Sequence, residues 1–207
     1  MGGVVAGPSA DLYSDVLEPV GEHVHCAAEA HAPVERICFT VGHGTRTREE
    51  LLALLGEHRI QLLADIRTVP RSRHNPQTSG EALRVALPEA GLCYLQLEGL
   101  GGLRRPRPDS PNDGWRNQSF RGYADYMLTP EFDAALAELI DLLGLYRTAI
   151  MCAETVYWRC HRSLVADALL VRGIRSLHLM GPGKATQHAL TRFAHPDGTR
   201  VLYPAEA

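Results

Sequence analysis

From residue 36 onward the chain alternates short apolar runs with amphipathic segments. "ICFTVG" (37–42) is β-branched and aromatic, reads as a buried strand, and stops at Gly42. "TREELLALLGEHR" (47–59) reads as a helix: Thr47 stands three residues before Glu50, the capping-box spacing, and Leu51, Leu52, Leu54 and Leu55 form one apolar face. "IQLLADIR" (60–67) is a second strand, "EALRVALPEA" (81–90) a second helix with Pro88 close to its end, and "LCYLQL" (92–97) a third strand. "TPEFDAALAELIDLLGLY" (129–146) is the clearest helix, with Thr129 as N-cap, Pro130 at the first helical position, and Glu131 and Asp133 complementing the dipole. "TAIMCA" (148–153) is a fourth strand and "SLVADALLVRG" (163–173) a helix closed by Gly173. "SLHLM" (176–180) is a fifth strand, and the tail "HALTRFAHPDGTRVLYP" ends in a short one.

Strand and helix in alternation mean parallel pairing with right-handed crossovers. The expected fold class is therefore α/β: a single-domain three-layer fold with a mostly parallel central sheet of about five strands and helices on both faces. The 207 residues suit one domain spanning 35–207, preceded by a flexible extension over 1–34. That extension holds the tract "HVHCAAEAH", read as solvent-facing rather than as a metal site. Thr68–Gly80 and "EGLGGLRRPRPDSPNDGWRNQSF" (98–120) are too rich in Pro, Arg, Ser and Asn for regular structure and read as long functional loops.

Ligands of such sheets bind beyond the carboxyl ends of the strands, at the switch in strand order. Polar residues gather there at four places: Gly42, His43 and Gly44 after the first strand, Asp65 and Arg67 after the second, Glu98 after the third, and Cys152 with Glu154 after the fourth.

Composition narrows the possibilities. A net charge of −3 argues against a protein that coats nucleic acid through bulk positive potential. Of the 21 basic residues only Lys184 is a lysine, and the remaining arginines suit bidentate contact with phosphate or carboxylate, although a GC-rich genome gives the same bias. Five cysteines, with no secretory leader and no apolar run long enough for a membrane span, point to reduced thiols in a cytoplasmic protein. No phosphate-binding Walker loop, dinucleotide fingerprint or serine nucleophile elbow is present.

The densest chemistry is "CAETVYWRCHRS" (152–163). Cys152 ends an apolar strand ahead of a helix whose free N–H groups, with Arg159, His161 and Arg162, favour a thiolate; it reads either as a nucleophile or as a small buried hydrophobe. In the catalytic reading Glu154 or Asp65 is the general base, His43 or His161 the proton carrier, and Arg67, Arg71, Arg121 and Arg162 the anion clamp. A second reading is metal, zinc or iron, at Cys152, Cys160 and His161, in a metal-dependent enzyme or sensor; the spacing matches no standard zinc finger. A third is a binding module, in which the arginine-rich loops with Trp115, Phe120 and Tyr123 hold a nucleotide or single-stranded nucleic acid. The first reading predicts an enzyme, hydrolase or transferase, acting on a phosphate-bearing, nucleotide-like or nucleic-acid substrate.

"TVGHGTRTREELLALL", "LLADIRTVPRSRHNPQ", "NQSFRGYADYMLTPEF", "CAETVYWRCHRSLVADALLVRG" and "HALTRFA" together resemble the bacterial family catalogued as domain of unknown function number 488. The likeness runs from about Cys38 to Pro204. It implies that Gly42, His43, Asp65, Arg67, Pro70 and Arg71 occupy motif positions, as do Ser72, Asn75, Phe120, Arg121 and Tyr123, and then Cys152, Glu154, Cys160, His161 and Arg162. The order of elements also resembles rhodanese domains, where a strand ending in Asp-x-Arg precedes a strand ending in the active cysteine. The departure is the loop: "AETVYW" is bulky and carries Glu154, unlike a short glycine-rich anion cradle, which argues against persulfide transfer and phosphatase chemistry.

Overall fold

The computed structural model describes residues 35–71 and 75–205. The expected N-terminal extension, with its histidine tract, and Ser72 and Arg73 lie outside the described residues.

Strand β1 (Ile37–Gly42), β2 (Leu62–Asp65), β3 (Cys93–Gln96), β4 (Thr148–Cys152), β5 (Arg175–Gly181) and β6 (Lys184–Gln187) form one sheet in the order β3-β2-β4-β1-β5-β6. The first five strands are parallel, as expected; β6 adds an antiparallel edge to β5. β6 carries no apolar alternation, being exposed along its whole length, so nothing in "KATQ" announced it.

Side chains alternate across the sheet with period two. Cys38, Leu62, Ala64, Ile150 and Cys152 face one layer, made by α3 (Gln118–Tyr126), α4 (Pro130–Leu145) and α5 (Arg162–Leu170). Phe39, Val41, Leu63, Ala149 and Met151 face the other, made by α1 (Arg48–Glu57) and α2 (Gly80–Glu89). Both N-caps read in the sequence are formed. Thr47 and Glu50 close the capping box of α1, and the Thr129 side chain accepts from the Phe132 N–H at the start of α4.

The helices explain where a crevice must open. β1 and β2 lead into helices on one face, whereas β4 leads into α5 on the other. β4 lies between β1 and β2, so the chain parts to both sides at its carboxyl end. Cys152 is the last residue of that strand.

Two parts of the long loop and tail differ from expectation. The end of the expected loop, 118–120, instead opens α3, capped by the Asn117 side chain accepting from the Ser119 and Phe120 N–H groups. Gly122 disguises this helix; it is there because the 104–106 backbone crosses so closely that a Cβ would lie 2.5 Å from the Arg104 carbonyl oxygen. The tail forms a small hairpin, β7 (His195–Asp197) with β8 (Arg200–Leu202), and fastens behind α5 through Tyr203, whose hydroxyl donates to Asp167 at 2.9 Å. Among the described residues no helix is long and apolar enough to cross a membrane.

Candidate active site

The loop leaving β4 is held over the end of β1 by an extension of the sheet ladder. The His43 N–H donates to the Cys152 carbonyl at 3.0 Å and the Gly44 N–H to the Ala153 carbonyl at 2.9 Å. Both glycines of "GHG" serve this approach: a Cβ on Gly42 would sit 1.8 Å from the Glu154 carbonyl oxygen, and Gly44, at φ 51°, would strike Thr155. The chain then turns through Tyr157–Arg159 and enters α5 at Arg162.

Arg162 runs back beneath this loop. It is 1% exposed, and its Nη1 donates to Cys152 Sγ at 2.8 Å and to the Glu154 carbonyl at 2.7 Å, while Nη2 donates to the Thr155 carbonyl at 2.7 Å. Its Nε–H has no partner. Burial, followed by repulsion from Arg46, brings the guanidinium down to about 10. Among the described residues no carboxylate lies within ion-pair distance of Arg162.

Cys152 and Cys160 are paired as a disulfide, with their Cα atoms 7.4 Å apart, so the reduced thiols expected from the odd cysteine count are not what this pair shows; Cys38 is a free thiol. His161 Nε2 lies 3.1 Å from the Ile66 carbonyl. A carbonyl can only accept, so Nε2 carries the proton and the Nδ1 lone pair faces Cys160 Sγ at 3.6 Å. Burial lowers His161 to about 4, which keeps the ring neutral. Gly102 makes room for it; a Cβ there would lie 2.4 Å from Nδ1.

On the β2 side, Asp65 is fully buried and accepts from Arg67 Nε at 2.8 Å, Arg67 Nη2 at 2.5 Å and the Tyr94 hydroxyl at 2.9 Å. Arg67 Nη2 also reaches the Thr78 carbonyl at 2.9 Å, and Nη1 reaches His43 Nε2 at 3.1 Å. Because His43 Nδ1 faces the Gly44 carbonyl at 3.0 Å, Nε2 is the bare nitrogen that accepts from Arg67. Burial, and then the Arg67 charge, lower its pKa. Asp65 thus serves as counter-ion to Arg67, and His43 as a neutral prop.

A cleft of about 390 Å³ opens above the two sulfurs. Arg67, Arg71, Phe120, Glu154, Arg159 and His161 are on its wall, with Val69 and Leu103 as exposed apolar residues at 55% and 76%. The structure therefore gathers Cys152, Cys160, Glu154, His161, Arg67, Arg71 and Phe120 at one opening. It seats other sequence candidates elsewhere. Tyr123 is fully buried and donates to the Leu100 carbonyl, and Trp115 stacks on Phe120 at 4.6 Å while packing edge-on against Phe193. Asn75 donates to the Gly44 carbonyl at 2.6 Å, bracing the loop after β1, and Arg121 does not line the cleft. Glu98 begins a 3-10 turn that is not on the cleft wall. For the metal reading, among the described residues no three His, Cys, Asp or Glu side chains converge to hold an ion; the His161 Nε2 proton is committed to Ile66.

Sequence reasoning missed Tyr94 and Thr78, which complete the Arg67 network, and a buried chain behind α5. Asp167 accepts from His188 Nε2 at 2.8 Å, His188 Nδ1 faces His178 Nε2 at 3.0 Å, and His178 Nδ1 faces Thr40 Oγ1 at 2.8 Å. Tyr157, from the loop above, stacks on His178 with ring centroids 3.6 Å apart. A lone aspartate inside the apolar helix "SLVADALL" was the available signal, because a buried carboxylate requires partners.

Fold and site together define a doubly wound α/β protein with a cysteine pair and a buried arginine at its switch point. The chain belongs to the family described as Domain of unknown function DUF488, which matches residues 47–169, more than half its length. No curated protein and no solved structure matches it.

Proposed function

We propose that the protein is a thiolate enzyme, hydrolase or transferase, acting on a phosphate-bearing, nucleotide-like substrate in the cleft above Cys152. The observation that carries this reading is the Arg162–Cys152 contact. A guanidinium almost wholly out of water, facing carbonyls and another arginine, needs an anion, and the one group it touches that can supply it is Cys152, a thiol once its bond to Cys160 is reduced. The thiolate supplies that charge and becomes the nucleophile.

The other roles follow from position. Arg71 and Arg159 are exposed cations on the cleft wall, suited to phosphate oxygens, and Phe120 with Val69 and Leu103 offers an apolar seat for a planar group. Glu154, exposed at the opening, is the available general base, since the Asp65 oxygens are committed to Arg67 and Tyr94. The Cys152 sulfur attacks the electrophilic centre, the bond to the leaving group breaks and that group takes a proton from solvent, and water or a second acceptor, deprotonated by Glu154, then attacks the intermediate so that the bond to sulfur breaks and the thiolate returns. A free thiolate persists in a reducing compartment, so we place the protein in the cytoplasm.

The test is the pH profile of Cys152 alkylation by iodoacetamide, followed by peptide mass spectrometry. The expected half-point lies below the ordinary thiol value of about 8.5, and Arg162→Met raises it and slows alkylation at pH 7 by roughly tenfold or more. Nucleoside mono- or diphosphates should protect Cys152 in the wild type. An ordinary profile unchanged by Arg162→Met, with no protection by any nucleotide, would sink the proposal.

A further inference from the structure

Cys160 has no part in the chemistry just described, yet its sulfur is set against that of Cys152. The two sulfurs stand in opposite environments. Cys152 receives an N–H from a buried cation, which favours the thiolate. Cys160 faces the bare Nδ1 of a neutral imidazole, an acceptor, which favours the protonated thiol that can donate to it. An exposed cleft leads to both. Once the pair is reduced, these surroundings favour one thiolate and one thiol side by side at the floor of an open cleft, the two halves of a peroxide-reactive dithiol.

We infer that the Cys152–Cys160 disulfide is reversible and re-forms from the reduced pair when the cleft admits a hydroperoxide, with Cys152 attacking and Cys160 resolving. The inference rests on the same thiolate as the proposed function and adds a second chemistry to it. The Cys152 thiolate attacks one peroxide oxygen, the O–O bond breaks, and the departing oxygen takes a proton from solvent to leave as water or, from an alkyl hydroperoxide, as alcohol. Cys152 is then a sulfenic acid. The Cys160 sulfur attacks it, the S–O bond breaks, and the sulfenic oxygen leaves as water with the proton that Cys160 gives up. Two electrons pass from the sulfurs to the peroxide, and a dithiol reductant returns them.

The consequence is an off-state that protects the nucleophile. Sulfenic acid left unresolved is oxidised further to sulfinic acid, which ordinary thiols do not reverse. With Cys160 already in contact, resolution is intramolecular and outpaces a second peroxide. Cys38 shows what the pair is not: fully buried in the sheet, its thiol is pushed up to about 12.

The experiment uses the full chain, reduced with dithiothreitol, desalted and treated with one equivalent of hydrogen peroxide with or without dimedone. Trypsin cuts after Arg159 and so separates the two cysteines; a linked pair of peptides reports the disulfide directly. The wild type should give that linked pair, reversed by dithiothreitol, with little dimedone adduct. Cys160→Ser, and Cys160→Ala as a second variant in case serine perturbs folding, should instead accumulate the adduct on Cys152. Rapid alkylation of Cys152 without any Cys152–Cys160 linkage after peroxide would overturn this inference and leave the thiolate enzyme standing. A Cys152 inert to iodoacetamide and peroxide alike would overturn both.

Discussion

Two arginines lie buried at the carboxyl edge of the same sheet, Arg67 at 6% exposure and Arg162 at 1%, and they are treated in opposite ways. Arg67 has a bidentate carboxylate, Asp65, which is itself steadied by Tyr94; His43 and the Thr78 carbonyl take most of what remains. Arg162 has two loop carbonyls, a cysteine sulfur and an idle Nε–H. A saturated ion pair makes a rigid wall, whereas a buried cation short of an anion makes a group that selects charge. The contrast separates the framework of the site from its reactive part.

The largest expected effect comes from breaking the saturated side. Asp65→Asn leaves Arg67 charged, buried and unmatched, and should cost about 3–5 kcal/mol of unfolding free energy, the usual consequence of removing one partner of a buried pair. Urea titration measures it. A loss below about 1 kcal/mol would show that water reaches Arg67 and that the two arginines differ less than their contacts suggest.

Acid probes the reactive side. His161 is held neutral down to about 4, while in the unfolded chain it protonates near 6.5. Between these values the unfolded state binds a proton that the native state refuses, so stability falls as pH drops through that window, by on the order of 2–3 kcal/mol. His178, lowered to about 3 by burial and then by His188, acts with the same sign. Melting temperatures from pH 7 to 4 should therefore decline, and His161→Gln should flatten part of the slope. An unchanged slope in that variant would place the proton elsewhere and remove the neutral acceptor assigned to Cys160.

How much of this could be read beforehand follows from the range of the interactions. The strands, the capping box at Thr47 and the Pro130 helix start are written in neighbouring residues, and all were legible. So was the shared edge of Asp65, His43 and Cys152, because parallel strands place their carboxyl ends together. The quoted blocks announced the family that the chain belongs to, although its match covers 47–169 and so leaves "HALTRFA" and the start of the first block outside. Partners fixed by register or by distant packing were hidden. Tyr94 meets Asp65 only because β3 pairs with β2, and Trp115 is a packing residue because Phe193, far along the chain, comes back to meet it. The reach of Arg162 beneath its own loop depends on the close passage over Gly42, which the sequence presented as a strand stop.

The smallest effect sharpens the comparison most, since it asks whether the two arginines are independent. Tyr94→Phe removes one hydroxyl from Asp65 and leaves both Arg67 contacts in place. The ring remains in its apolar layer among the residues of α1 and α2. The expected cost is roughly 1.5–3 kcal/mol, the range for a hydrogen bond to a charged group, read as a lower urea midpoint at unchanged slope. Burial and the Asp65 charge raise the Tyr94 pKa, so the hydroxyl is protonated at neutral pH and the difference should be constant from pH 6 to 9. Cys152 alkylation should stay within about twofold of the wild type, because distant sites without shared partners behave additively. A tenfold change would mean that Asp65 reaches Cys152 through Arg67 and His43, and the framework would then belong to the reactive group after all.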